Sequence, residues 1–254
     1  MRRAQGRLVR ALGVVLLAAG CATVPAPLPP VLGGVPAEQV SELLRRWEAD
    51  WRQFPGLRAA VDVTVARRGR AQRSAGGLLL SPTHLRFEAL APLGFPALVV
   101  TAGPAQILVF SPTERRAWSA RPTAEAMERW LGVPVVLDTL IRLLVGWVPA
   151  PPAGATVRVA EDRGPHILVE HDRLTQRIWV TAEGRPARLE LEDGARVTVT
   201  FERGVDGNVQ SLAVEAPGQG LELALRYISA EYGPPPQAAF DLRLPPGVPV
   251  DAVN

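Results

Sequence analysis

Run after run of this chain places an apolar residue at every second position. Val157 and Val159, Ile167 and Val169, Ile178 and Val180, and Leu189 and Leu191 alternate with polar neighbours. So do Val197, Val199 and Phe201, Leu212 and Val214, and Leu221, Leu223, Leu225 and Tyr227. A strand turns successive side chains to opposite faces, so each run has one face for a core and one for water. Asp193-Gly194 and Asp206-Gly207 carry hairpin-turn chemistry between runs. The first half repeats the pattern at Val61, Val63 and Val65, then over 71–81, 84–90, 97–102, 106–111 and 115–119. About eleven strands at even spacing with few helices predict a mainly β (α+β) fold, a strongly curved antiparallel sheet or half-open barrel. A further short strand is expected at Phe240 to Leu244, inside a proline-rich tail.

Two stretches change period. Val35 to Phe54 reads as an N-terminal amphipathic helix. Val40, Leu43, Leu44, Trp47, Trp51 and Phe54 form its apolar side, and Pro55-Gly56 ends it. Pro122 to Val145 reads as two helices broken at Gly132-Val133-Pro134. Met127, Trp130 and Leu131 line the first; Val136, Leu137, Leu140, Ile141 and Leu144 stripe the second, with Asp138 and Arg142 spaced to pair. Charge and proline within this stretch exclude a membrane span. These helices are available to cover an apolar concave face. The tryptophans Trp118, Trp130, Trp147 and Trp179 either line a cavity there or fill the core.

Between the strands at 84–90 and 97–102 stands Pro92-Leu93-Gly94-Phe95-Pro96. Two prolines cannot sit in a ladder, and Gly94 permits a turn. Loop tips normally carry polar side chains; this one carries Leu93 and Phe95. Either they tuck beneath the sheet as a small plug, or they form a surface that touches lipid or another apolar partner.

The chain has no lysine; all 28 basic residues are arginine. A phosphate-binding P-loop and a lysine Schiff base are thereby excluded. Four of those arginines precede Cys21 and no acid does, leaving 24 basic against 25 acidic side chains, so binding to nucleic acid is not expected. Arg67-Arg68-Gly69-Arg70 reads as a solvated hairpin end that could sit against anionic head groups. His166 and His171 are five apart on one strand and point to opposite faces. Glu190 and Glu192 read as a solvated sheet surface rather than a carboxylate dyad. With no Gly-x-Ser-x-Gly elbow either, neither an enzyme nor a cofactor is expected.

Residues 1–20 read as a targeting segment: four arginines, the short apolar run Ala11 to Leu17, then the small residues Ala18-Ala19-Gly20. Cys21, the single cysteine, follows, so no internal disulfide forms. Leu17-Ala18-Ala19-Gly20-Cys21 resembles a bacterial lipobox, with the leucine four rather than three residues before the cysteine. The resemblance implies cleavage before Cys21, a diacylglyceryl thioether on it and N-acylation. The other reading is an ordinary secretory signal that happens to end at a cysteine. Two or three acyl chains hold a protein stably, at about 0.8 kcal/mol per buried methylene. Ala22 after the cysteine resembles an outer-membrane lipoprotein. Residues 21–34, with Pro25, Pro27, Pro29 and Pro30, read as a semi-stiff tether to a single domain over 35–254.

Three motifs now fall in order: Pro92-Leu93-Gly94 between two strands, Leu131-Gly132-Val133-Pro134-Val135 between two helices, and Gly146-Trp147-Val148-Pro149 after the second helix. Behind a lipobox, this order resembles the LolB family of outer-membrane lipoprotein receptors. The likeness covers roughly Trp47 to Leu244 and is strongest from Leu85 to Pro149; the proline-rich tether and Phe95-Pro96 depart from it. The resemblance implies a half-open antiparallel barrel with a helical lid, anchored in the outer membrane and facing the periplasm, with a monomer expected. Its cavity would take acylated lipoprotein cargo from a periplasmic LolA-like carrier, and the loop would insert that cargo into outer-membrane lipid. Cys21 then anchors, and Leu93 with Phe95 engages the membrane. Phe87, Trp118, Trp130, Leu137, Leu140, Ile141, Leu144 and Trp147 are the candidate acyl-cavity residues. The rival reading is a tethered structural or assembly lipoprotein that binds a protein through its sheet, without lipid transfer.

Overall fold

The computed structural model describes residues 37–131 and 134–253, with the backbone alone at 37, 130 and 131. The targeting segment, Cys21, the tether, the start of the first helix and the Trp130 side chain lie outside the described residues. The described residues open with α1 (Ala37–Arg52) and an antiparallel meander of six strands: β1 (Leu57–Arg67), β2 (Arg70–Leu80), β3 (Leu85–Leu90), β4 (Pro96–Ala102), β5 (Ile107–Ser111) and β6 (Arg116–Ala120). Two short helices follow, α2 (Ala124–Leu131) and α3 (Leu137–Leu144). A second meander runs through β7 (Thr156–Ala160), β8 (His166–His171), β9 (Leu174–Val180), β10 (Pro186–Asp193), β11 (Ala195–Arg203), β12 (Val209–Ala216) and β13 (Leu221–Tyr232). The short β14 (Val250–Ala252) closes the described chain.

All fourteen strands described belong to one curved, open sheet, in the order β14-β6-β5-β4-β3-β2-β1-β13-β12-β11-β10-β9-β8-β7. The two meanders are therefore fused along β1 and β13, which pair antiparallel from Leu57 opposite Tyr232 to Arg67 opposite Leu221. Alternation sets the register. Inner residues meet inner residues: Leu85 opposite Leu80 and Leu80 opposite Leu57, then Leu225 opposite Leu212 and Leu212 opposite Phe201, then Leu189 between Val199 and Ile178. A slip by one residue would turn each row to water, so burial of this face fixes the pairing.

The helices close over this inner face. On α1, Val40, Trp47 and Trp51 are buried, as the spacing predicts, and each large side chain contributes about 2 kcal/mol by leaving water. The Trp47 indole N–H donates to the Gly184 carbonyl in the β9–β10 turn (2.8 Å), and Trp51 stacks on Phe54. Arg142 of α3 pairs with Asp138 (2.8 Å), as its spacing predicts, and also reaches Glu48 of α1 (2.9 Å) while lying 4.6 Å from the Trp51 ring. The chain after α3 is bolted down: the Tyr227 hydroxyl donates to the Leu144 carbonyl, and Arg203 donates to the carbonyls of Gly146 and Pro186. Burial pushes the Arg203 guanidinium down to about 10, so it still carries its charge at neutral pH.

The tail departs from expectation. Phe240 to Leu244 forms no strand. Gln237–Phe240 is a 3-10 turn, Phe240 is buried beside the His84 ring, and Arg86 donates to the Ala239 carbonyl. Pro234-Pro235-Pro236 and Pro245-Pro246 supply no N–H for a ladder. Pairing resumes only at β14, which lies parallel to β6. No described helix is long and apolar enough to cross a membrane.

Candidate functional site

The inner face has two unequal halves. Beneath α1 and α3 it is solid: Leu137, Ile141 and Leu144 pack into the same cluster as Ile178, Leu189 and Val199. Across the first meander it is not. Phe87, Val100, Val109 and Trp118 lie opposite one another in a single registered row over β3 to β6, and each is only half-buried. Ala89 and Leu98 form the next row towards the β3–β4 loop, again half-buried. Val63 and Val65 on β1 extend the apolar strip. Gly76 makes room within it, since a Cβ there would lie 3.0 Å from the Phe87 ring and 2.4 Å from the Glu88 carbonyl. The row from β3 to β6 spans four strands, about 14 Å at ordinary inter-strand spacing, and every side chain in that row is apolar.

The strip leads to the β3–β4 loop. Ala91 and Phe95 close it by an N–H to carbonyl bond, Gly94 bonds back to Ala91, and Gly94 takes φ +82° with open space around it. Leu93 is 84% exposed and Phe95 69%. Both therefore point outward and form no plug. On the outer face, β1 to β3 are polar, where Arg86 pairs with Glu88 and Asp62 accepts from Arg73 and Arg226, whereas β4 to β6 carry a buried apolar row of Val99, Phe110 and Ala117. Arg226 first, and Arg73 after it, hold the Asp62 carboxyl below the usual carboxylate range. The site thus offers one dry strip and one bare apolar tip at its end.

No protein-family model and no curated protein matches the chain. Solved structures do. A DUF1329 family protein from Desulfovibrio piger superposes with a TM-score of 0.55 at 12% identity, over 82% of this chain and 98% of that one. A putative outer membrane lipoprotein-sorting protein domain from Vibrio parahaemolyticus gives 0.54 at 13%, over 81% and 97%. A LolA superfamily protein from Nitrosomonas europaea gives 0.53 at 13%, over 82% and 99%. The fold is LolA/LolB-like.

On this LolA/LolB-like frame the expected cavity residues separate. Phe87 and Trp118 stand in the half-exposed strip; Leu140 and Trp147 are half-buried, the latter with the Arg185 guanidinium 5.1 Å from its ring. Leu137, Ile141 and Leu144 belong to the solid half, Ile141 with no exposed surface at all. Trp179 faces the other way, because its neighbour Ile178 takes the inner position opposite Leu189. On the outer face Trp179 stacks between His166 and Arg188.

That outer cluster was not visible in the sequence. Glu190, expected on a solvated surface, is buried and accepts from Arg163 (3.0 Å) and Arg188 (2.6 Å). Arg163 comes from the β7–β8 loop, which folds over this face. Its carbonyl accepts from the Trp179 indole, and Gly164 bonds the His166 ring. Alternation marks Glu190 as outward; only the loop's path makes it buried. Glu192 pairs separately with Arg177 and Arg196, so the two carboxylates form no dyad. Among the described residues no three His, Cys, Asp or Glu side chains gather as metal ligands.

Proposed function

We propose that this protein is an outer-membrane lipoprotein that takes acyl chains of lipoprotein or similar lipid cargo from a periplasmic LolA-like carrier and passes them into the membrane. The observation that carries this reading is the bare pair Leu93 and Phe95 at the end of a half-exposed apolar strip on a LolA/LolB-like fold. Acyl chains do not cross water unaided, at about 0.8 kcal/mol per methylene. A strip of Phe87, Val100, Val109 and Trp118 shields them, and an apolar tip beside it opens a way into lipid. Cys21 supplies the anchor that keeps the strip at the membrane, and no nucleotide or cofactor is needed, because cargo moves towards tighter apolar burial. In a reconstituted transfer assay, Leu93→Glu keeps the fold and acyl binding but loses delivery; unchanged delivery removes the loop from the mechanism.

The second reading, a tethered assembly protein that binds a partner through its sheet, draws support from the solid packing around Ile141. Native mass spectrometry separates the two, since co-purified fatty acyl material is expected only for a carrier.

A further inference from the structure

We infer that the rim carrying Leu93 and Phe95 is an anionic-lipid surface, in which unpaired arginines on the two flanking hairpins hold phospholipid phosphates while the apolar tip enters the bilayer. The inference rests on the membrane role proposed above for that tip and adds the lipid class it prefers.

The topology brings the parts together. In a meander alternate hairpins share one end, so the β1–β2, β3–β4 and β5–β6 turns all lie at the same edge of the sheet. Leu93 and Phe95 are on the middle turn. Neighbouring turns on this edge are two strands apart, about 10 Å. β2 pairs with β3 only from Gly76 to Leu80, so residues 70–75 run on beyond β3, and the β1–β2 ribbon, backed by β13 on its other side, stands with a free edge beside the loop. The Ser74 hydroxyl donates to the Leu90 carbonyl (3.1 Å) and ties that ribbon to the base of the tip.

Three features of the ribbon are costly to the fold alone. Arg67, Arg68 and Arg70 are exposed and form no ion pair among the described residues, whereas Arg45, Arg73, Arg86, Arg116, Arg142 and Arg226 each hold a carboxylate. Arg67 stands directly opposite Arg70, a like-charge cross-strand pair that weakens a hairpin. Arg68 takes φ +50° ahead of Gly69 at φ +79°, a turn that asparagine fills more cheaply than arginine. The β5–β6 turn repeats the choice with Arg115 at φ +51°. Of the three described non-glycine residues with positive φ, two are arginines on the turns that bracket the apolar tip. Left-handed backbone at non-glycine residues persists where the surroundings over-determine it, and such residues cluster at functional sites. Guanidinium groups beside an inserting leucine and phenylalanine match phosphate beneath water and above acyl chains, and phosphate accepts bidentate arginine.

The test follows insertion at the tip itself. In full-length chain with Cys21→Ala, Leu93→Cys supplies a sole thiol for an environment-sensitive dye. Its blue shift is titrated with vesicles of neutral phosphatidylcholine, and with vesicles containing about one third phosphatidylglycerol. The expected result is half-saturation at much lower lipid with the anionic vesicles, an advantage that shrinks in high salt. Removing arginines should cost roughly five-fold in anionic lipid affinity each, and on the order of 100-fold for Arg67→Gln, Arg68→Asn and Arg70→Gln together, with neutral vesicles unaffected. Arg68→Asn alone suits its backbone better, so it separates lipid binding from folding. Equal titrations on both vesicles, or an anionic preference that survives the triple substitution, overturns the arginine inference and leaves the tip's role standing. A dye that stays in water with every vesicle overturns both.

Discussion

Gly146 shows how one residue holds the lid to the sheet. It follows α3 at φ +80°, and a Cβ there would sit 2.1 Å from a Val209 methyl and 2.9 Å from the Arg203 guanidinium. Both space and backbone therefore demand glycine. Gly146→Ala is expected to destabilise by roughly 2–4 kcal/mol, from the left-handed backbone and from overpacking, and urea unfolding measures it. The sequence displayed this glycine only as part of the Gly146-Trp147-Val148-Pro149 step after a helix. Its neighbours Val209 and Arg203 are some sixty residues away and join it only through the meander's return, which no local pattern reveals. Leu93 was more legible: an apolar residue between two prolines on a turn has few places to go.

At the scale of elements, alternation located β1 to β13 because each strand turns one apolar face inward, and a period of two admits no other structure of that length. The short strand β14 was hidden, since three residues that pair in parallel with β6 need no pattern of their own. The outer cluster of His166, Trp179 and Glu190 was hidden for a related reason: its burial comes from a loop. Between helices, the docking of α3 on α1 turns on Arg142, whose side chain is 9% exposed against Glu48 and Asp138 at 29% and 55%. Arg142→Ala leaves Glu48 with Arg52 alone (3.5 Å) and takes the cation from the Trp51 ring. Because both partners retain water, the expected loss is about 2 kcal/mol, less than for a fully buried pair. Hydrogen exchange should show faster opening in α1 and α3 than in β1 and β13; uniform acceleration would mean that the helices and sheet open as one unit.

For the whole molecule, the two halves of the inner face carry different burdens. The half under α1 and α3 is packed and secures the fold. The half from β3 to β6 keeps its apolar row half-open, at a cost in stability that filling would avoid. Val100→Asp should therefore fold, since its position retains access to water, yet abolish the fatty acyl material that native mass spectrometry is expected to find with the parent chain. Acyl material that persists would move the binding surface elsewhere.

The seam between β1 and β13 also governs how this chain is made. β1 is among the first structured segments to emerge, and its partner follows after some 150 residues. Until then an eleven-residue strand waits with one edge bare, open to any other chain that arrives first. Closure over so long a loop is slow. The unfinished chain is therefore most exposed to mispairing in that interval, and a shorter β1 edge would trade stability for a smaller hazard.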